Sequence, residues 1–268
     1  MRWAWALGLA AVGMQITYPL TNGSTRDAVT VAVVLLLAGA SVVHAGVMRG
    51  ARWTVALVTV TAGGGFAVEL LGTTTGVPFG EYGYANGRLG PAVAGVPLLI
   101  GVAWTAGAYP AWCAAQRVTG GRRWPRLLLA AVGLAGWDLY LDPQMVADGH
   151  WTWVQQGAGL PGVPAVPVGN YLGWLAVALV MAALLGLVPS RVTNTRRDGL
   201  PLLLFGWTWL GSALAHAVFL DLPYSALYGA VGMGVLGVPL LVVLREQRGN
   251  RSGIPARAHR PRPRRLAR

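Results

Sequence analysis

The run VTVAVVLLLAGASVVHAGVM at 29–48 decides the fold. It holds no Asp, Glu, Lys or Arg, and its apolar residues follow one another instead of alternating with polar ones. About 20 such residues wound as a helix match the hydrocarbon thickness of a bilayer. Working outward, comparable blocks fall near 3–20, 53–72, 91–113, 124–141, 170–188, 200–220 and 223–244. The expectation is an all-α, polytopic integral membrane helix bundle of about eight transmembrane helices over 1–244. An Arg-rich tail at 245–268, expected to be disordered, would follow it.

Composition agrees. Hydrophobic residues make up 54% of the 268-residue chain and charged residues 11%, against about 25% charged in ordinary globular domains. All 21 basic residues are arginine. With eight spans, nineteen of them fall on one side: Arg2, Arg49, Arg52, the group from Arg117 to Arg126, the group from Arg191 to Arg197, and nine between Arg245 and Arg268. Arg26 and Arg88 fall on the other. The positive-inside rule then predicts cytoplasmic termini and a multi-pass protein of the inner (plasma) membrane. The formal charge of +12 raises nucleic acid as a partner, but the tail arginines favour anionic membrane lipid instead, and no nucleic-acid module is visible. Arg2 and the apolar run after it read as a retained first helix, because no small-residue cleavage site follows. The single cysteine, Cys113, excludes an internal disulfide.

The carboxylates gather on the side opposite the arginines. Asp27, Glu69, Glu81, Asp138, Asp142, Asp148 and Asp221 all fall at or near it. Asp138 and Asp142, in WDLYLDPQM at 137–145, are four residues apart and project from one helix face. Two carboxylates in a poorly hydrated site cannot both ionise easily, so such a pair can hold a proton and orient a water. The bland alternative has Asp142 capping a turn with Pro143 while Asp138 bonds a neighbouring helix. Glu69, one turn before a Gly/Thr-rich exit, is a second candidate acid and a possible partner of Arg88. Glu81, Tyr82 and Tyr84 stand in PFGEYGY, where tyrosines also serve as ordinary interfacial anchors. His216, near the acidic end of its helix, is either a site residue or a packing histidine; His44, near the basic end, reads as structural. No metal site is expected, since neither HxxxH nor ExxH spacing occurs. Tryptophan is abundant, at 12 copies, and aromatic walls suit a flat polyene or a cation.

Three ordered motifs are more specific than any of these residues taken singly. They are GVPFGEYGYANGRLGPAVAGVPLLIGVAW at 76–104, AGWDLYLDPQMVADGHWTW at 135–153 and VPVGNYLGWL at 166–175. The set resembles the carotenoid biosynthesis proteins of the CruF type, a family that includes membrane-bound carotenoid 1,2-hydratases. The resemblance implies addition of water across the terminal C1=C2 bond of an acyclic carotenoid ψ end group, with no cofactor and with other carotenoid biosynthesis enzymes as candidate partners. Its motif positions include Phe79, Tyr82, Tyr84, Trp137, Asp138, Asp142, Gln144 and Asn170. Such chemistry protonates C2 and leaves a tertiary cation at C1. The corresponding expectation is that Asp138 donates the proton while Asp142, with Asn170 or Gln144, holds the water. Glu69 is the alternative acid, and Trp137, Tyr82 and Tyr84 line the end-group pocket. Rival readings are a carotenoid cyclase, which starts from the same cation, a proton-coupled transporter, and a non-catalytic partner in a carotenoid-synthesising complex.

Overall fold

A computed structural model describes residues 1–154, 158–190 and 197–252. Among the described residues eight long helices run up and down: α1 Arg2–Thr17, α2 Gly23–Arg49, α3 Ala51–Thr75, α4 Leu98–Thr119, α5 Arg123–Ala147, α6 Val168–Leu187, α7 Gly199–Val218 and α8 Pro223–Ser252. Six of them, all but α1 and α5, are long and apolar enough to cross a membrane. The chain is a mostly helical membrane protein. α1 has only 16 residues before a 3-10 turn at Tyr18–Leu20, and α5 carries Arg123, Arg126, Asp138 and Asp142.

α4 is the axial helix. Its most apolar window is 83% buried inside the protein, against 28–39% in the other five candidate spans. Helices α2, α3, α5, α7 and α8 pack around it. Small residues allow the close approaches, as membrane helices require where water drives no apolar association. A side chain added at Gly136 of α5 would meet the Gly232 carbonyl carbon and the Met233 nitrogen of α8, both 2.7 Å away. One added at Gly65 of α3 would stand 2.5 Å from the Trp104 ring.

α3 is not uniformly wound. Thr59–Gly63 forms a π turn, and buried Thr61 there hydrogen-bonds the Thr105 hydroxyl of α4 at 2.7 Å. The helix stops at Gly76, whose left-handed φ of 75° a side chain would resist and whose amide closes on Gly72 O at 2.8 Å.

Several elements differ from the sequence expectation. α4 begins at Leu98, not near 91, because Ala92–Val93 and Val96–Pro97 form a tight ribbon turning on Ala94 and Gly95, both at positive φ. α5 runs on to Ala147 through Pro143 instead of ending near 141, so Asp142 lies inside a helix and does not cap a turn. Proline removes the amide that would serve the carbonyl of Leu139; the Ser225 hydroxyl of α8 donates to that carbonyl instead, at 2.7 Å. Among the described residues the loops hold three two-stranded antiparallel ribbons, which qualify the all-α expectation outside the bundle. Finally, α8 continues past 244 to Ser252; the rest of the Arg-rich tail, together with Arg191 and Arg196, lies outside the described residues.

Candidate active site

At the end of the bundle away from the Arg49 and Arg117 helix ends, the loops after α3 and α5 meet over a cleft. Tyr82–Tyr84 pairs with Trp151–Trp153, placing Tyr82 opposite Trp153 and Tyr84 opposite Trp151. Strand alternation sends these four rings down toward the helices while Gly83 and Thr152 face out. Trp153 donates to Phe79 O at 2.9 Å, tying the ribbon to the turn after α3.

Below the ribbon is a narrow cavity lined by side chains of both loops and of the helices beneath them. Its wall is aromatic. Trp104 and Trp174 stack at 3.9 Å with their planes 13° apart, and Phe79 packs beside both. Two acidic groups line it, centred on Glu69 and on Asp142. In the first, Glu69 accepts hydrogen bonds from Tyr82, from Tyr84 at 2.7 Å and from Trp104 Nε1 at 3.1 Å. Burial, reinforced by the charge of Glu69, pushes the Tyr82 and Tyr84 phenols well above their usual range, so both stay protonated and donate. In the second, one amide group, Asn170 Nδ2, donates both to Asp138 Oδ2 at 2.9 Å and to Asp142 Oδ2. Trp151 Nε1 donates to the second Asp142 oxygen at 3.1 Å. Asp142 lines the cavity; Asp138, 0% exposed, stands behind it, and its Oδ1 has no hydrogen-bond partner among the described residues.

The structure therefore brings together Glu69, Phe79, Tyr82, Tyr84, Asp138, Asp142 and Asn170 from five segments of chain. Glu69 does not pair with Arg88, which instead clasps Asp27 at 2.6 and 3.0 Å. Four expected site residues lie elsewhere. Glu81 is exposed and takes part through its backbone oxygen, which accepts from Val154 N at 2.8 Å. Gln144 and Trp137 face a different cavity, on the adjoining face of α5. His216 also borders that second cavity, with its ring nitrogens 2.8 Å from Ser212 O and 3.1 Å from Tyr140 O. Sequence reasoning missed Trp151, Trp153 and Trp174. The spacing of WTW at 151–153 held the clue, since two tryptophans one residue apart share a face only on a strand.

A polar clamp holds the ribbon down. Besides the Arg88–Asp27 pair, Arg26 meets Asp148 at 2.7 Å, Tyr18 donates to Asp148, and buried His150 Nε2 sits 3.0 Å from Asp27 Oδ1. Burial and the charge of Arg88 hold His150 below the usual imidazole range. The folded clamp thus binds a proton less readily than the unfolded chain, whose histidine titrates near 6.5. Its contribution is complete above that pH and is lost as pH falls below it. The melting temperature is expected to drop between pH 7 and pH 5, and His150→Gln should flatten that dependence in a thermal-shift titration.

The profile of a family described as carotenoid biosynthesis protein matches residues 30–240, most of the chain and all of the segments that build the cleft. The chain belongs to this family, and its role lies in carotenoid biosynthesis. It is 33% identical over 177 residues to a protein of Haloarcula japonica named bisanhydrobacterioruberin hydratase; the alignment covers 62% of this chain and 58% of that protein. The chain thus spans less than two thirds of that relative's length. No solved structure matches.

Proposed function

We propose that the chain is a carotenoid hydratase, adding water across the terminal C1=C2 bond of an acyclic ψ end group by acid catalysis. The observation that carries this reading is the pair of carboxyl groups bridged by Asn170 and set at an aromatic cavity that Glu69 also lines. Two carboxyls gathered on one amide can share a proton between them. Because Asp142 faces the cavity and Asp138 backs it, Asp142 is the better candidate for the donor, in place of the Asp138 favoured by the sequence. Asp138 then replenishes and orients the pair. Protonation of C2 places a positive charge on C1, which the rings of Trp104, Trp174 and Tyr82 and the Glu69 carboxylate surround. Glu69, already accepting from three donors, suits this anionic role better than that of acid. Water bonds to C1, and the proton it sheds returns to the carboxylate, so the net change is one water added.

Coexpression with an acyclic carotenoid in a pigment-producing host tests the reading. The product is expected to gain the mass of one water at one or both ends. A product isomeric with the substrate would favour a cyclase instead, and unchanged pigment would overturn both. Glu69→Gln keeps the shape of the side chain but removes the charge; hydration is expected to fall about a hundredfold or more, the scale of losing one electrostatic stabiliser, measured as product per inserted protein.

The same proposal has all eight helices spanning the plasma (inner) membrane with both termini cytoplasmic and the acidic cleft at the outer face. α5, at 25 residues, extends about 37 Å, enough for a hydrocarbon core of about 30 Å. The arginines from Arg245 onward would lie against anionic lipid.

A further inference from the structure

On the neighbouring face of α5 a second cavity opens among α1, α2, α5 and α7. It shares four wall residues with the aromatic cavity: Thr30 and Val34 of α2, Leu141 and Met145 of α5. The two spaces therefore adjoin through a thin partition. Leu141 precedes Asp142 directly, and Met145 follows Leu141 by one helical turn on the same face. A molecule crossing between α2 and α5 arrives next to the Asp142 carboxyl.

The two cavities differ in chemistry. The first presents aromatic rings, whereas the second adds the amides of Gln15 and Gln144 and the hydroxyls of Thr208 and Ser212. Gln15 accepts from Trp207 Nε1 at 2.9 Å, which leaves its amide group as a donor. Gln144 and Tyr18 both border the second cavity. Thr30 donates to Arg26 O at 2.9 Å and keeps an oxygen lone pair for a further donor. The cavity extends to the acid-bearing end of the bundle, where half-buried Pro19 and Leu220 border it. Polar groups spaced along an otherwise apolar space can hold water, which needs two to four such partners.

We propose that this second cavity delivers the water that the reaction consumes, past Thr30 to the cation formed beside Asp142, while the polyene end group occupies the aromatic cavity. The inference rests on the hydratase reading. Asp142 gives its proton to C2, the delivered water forms the C–O bond at C1, and the oxonium proton restores the carboxyl. No oxidant or reductant is needed. Deprived of water, the same cation can return to the uncyclised alkene by losing a proton to the carboxylate.

That exit supplies the test. Membranes bearing Gln144→Leu or Ser212→Leu are supplied with an acyclic carotenoid in H₂O and in D₂O, and products are compared per inserted protein. Hydrate is expected to fall about tenfold, the scale of losing one or two water-holding hydrogen bonds, while deuterium still enters the end group of recovered alkene at the wild-type rate. Gln144→Glu, which keeps a polar side chain, is expected to restore hydrate. Hydrate and deuterium uptake falling together would overturn the proposal and make the cavity a seat for the polyene or a packing feature. Undiminished hydrate in both leucine variants would overturn it as well. Wild-type membranes yielding neither hydrate nor label would instead defeat the hydratase reading itself.

Discussion

Replacing Asp142 by Asn is expected to lower hydration by roughly a hundred- to ten-thousand-fold, the span contributed by a positioned general acid. The substitution preserves volume and leaves an oxygen to accept from Trp151 Nε1, so insertion and folding should survive. What disappears is the carboxyl proton at the cavity wall. Asp138→Asn should lower the rate less, because Asp138 lies behind Asp142 and acts through it. The comparison is made by pigment analysis at matched membrane levels. Full activity in Asp142→Asn would remove the acid assignment, and a deeper loss in Asp138→Asn would return it to Asp138.

The second large effect concerns assembly. Gly136→Val is expected to prevent α5 and α8 from closing. The added carbon would lie 2.7 Å from backbone atoms of Gly232 and Met233, and backbone, unlike a flexible side chain, cannot swing aside. Overpacking against movable side chains already costs about 1–3 kcal/mol, and a clash with a neighbouring helix backbone should exceed that. Ser225 on α8 serves the carbonyl freed by Pro143, so separating the helices also exposes an orphaned acceptor one turn from Asp142. Detergent-solubilised protein should show a sharply lower melting temperature or fail to accumulate. Gly206→Val, where an added Cβ meets nothing within 4 Å, is the matched control.

Much of this architecture is legible in the sequence because a bilayer imposes a length on apolar segments. Each expected block contains a helix. The failures occur where local rules met a tertiary partner. Pro143 reads as a helix end, and it is not one because α8 supplies the missing hydrogen bond. The apolar letters of PAVAGVP at 91–97 look like the start of a helix, but two prolines and a Gly-bearing turn fold them into a ribbon. The acids were legible as candidates, Asp138 and Asp142 by their spacing and Glu69 by its depth. Their arrangement was not. That Tyr82, Tyr84 and Trp104 would converge on Glu69, or that a single Asn170 amide would join two aspartates, depends on contacts between segments 13 to 35 residues apart in the chain. Gln144 illustrates the limit. Two positions from Asp142 it shares the motif but faces a different space, since neighbouring helix positions diverge by about 100° each.

The π turn in α3 bears on how such a site can originate. A π turn accommodates one more residue than the helix around it would need, so everything beyond Gly63 is rotated by about 100° relative to a regular continuation. Glu69 lies beyond it. Had α3 been wound evenly from Ala51, the carboxylate would point along a different bearing from the one on which Tyr82, Tyr84 and Trp104 now meet it. A single-codon insertion upstream could therefore have turned a side chain with no partner into part of the aromatic cavity's wall, leaving both ends of the helix where they were.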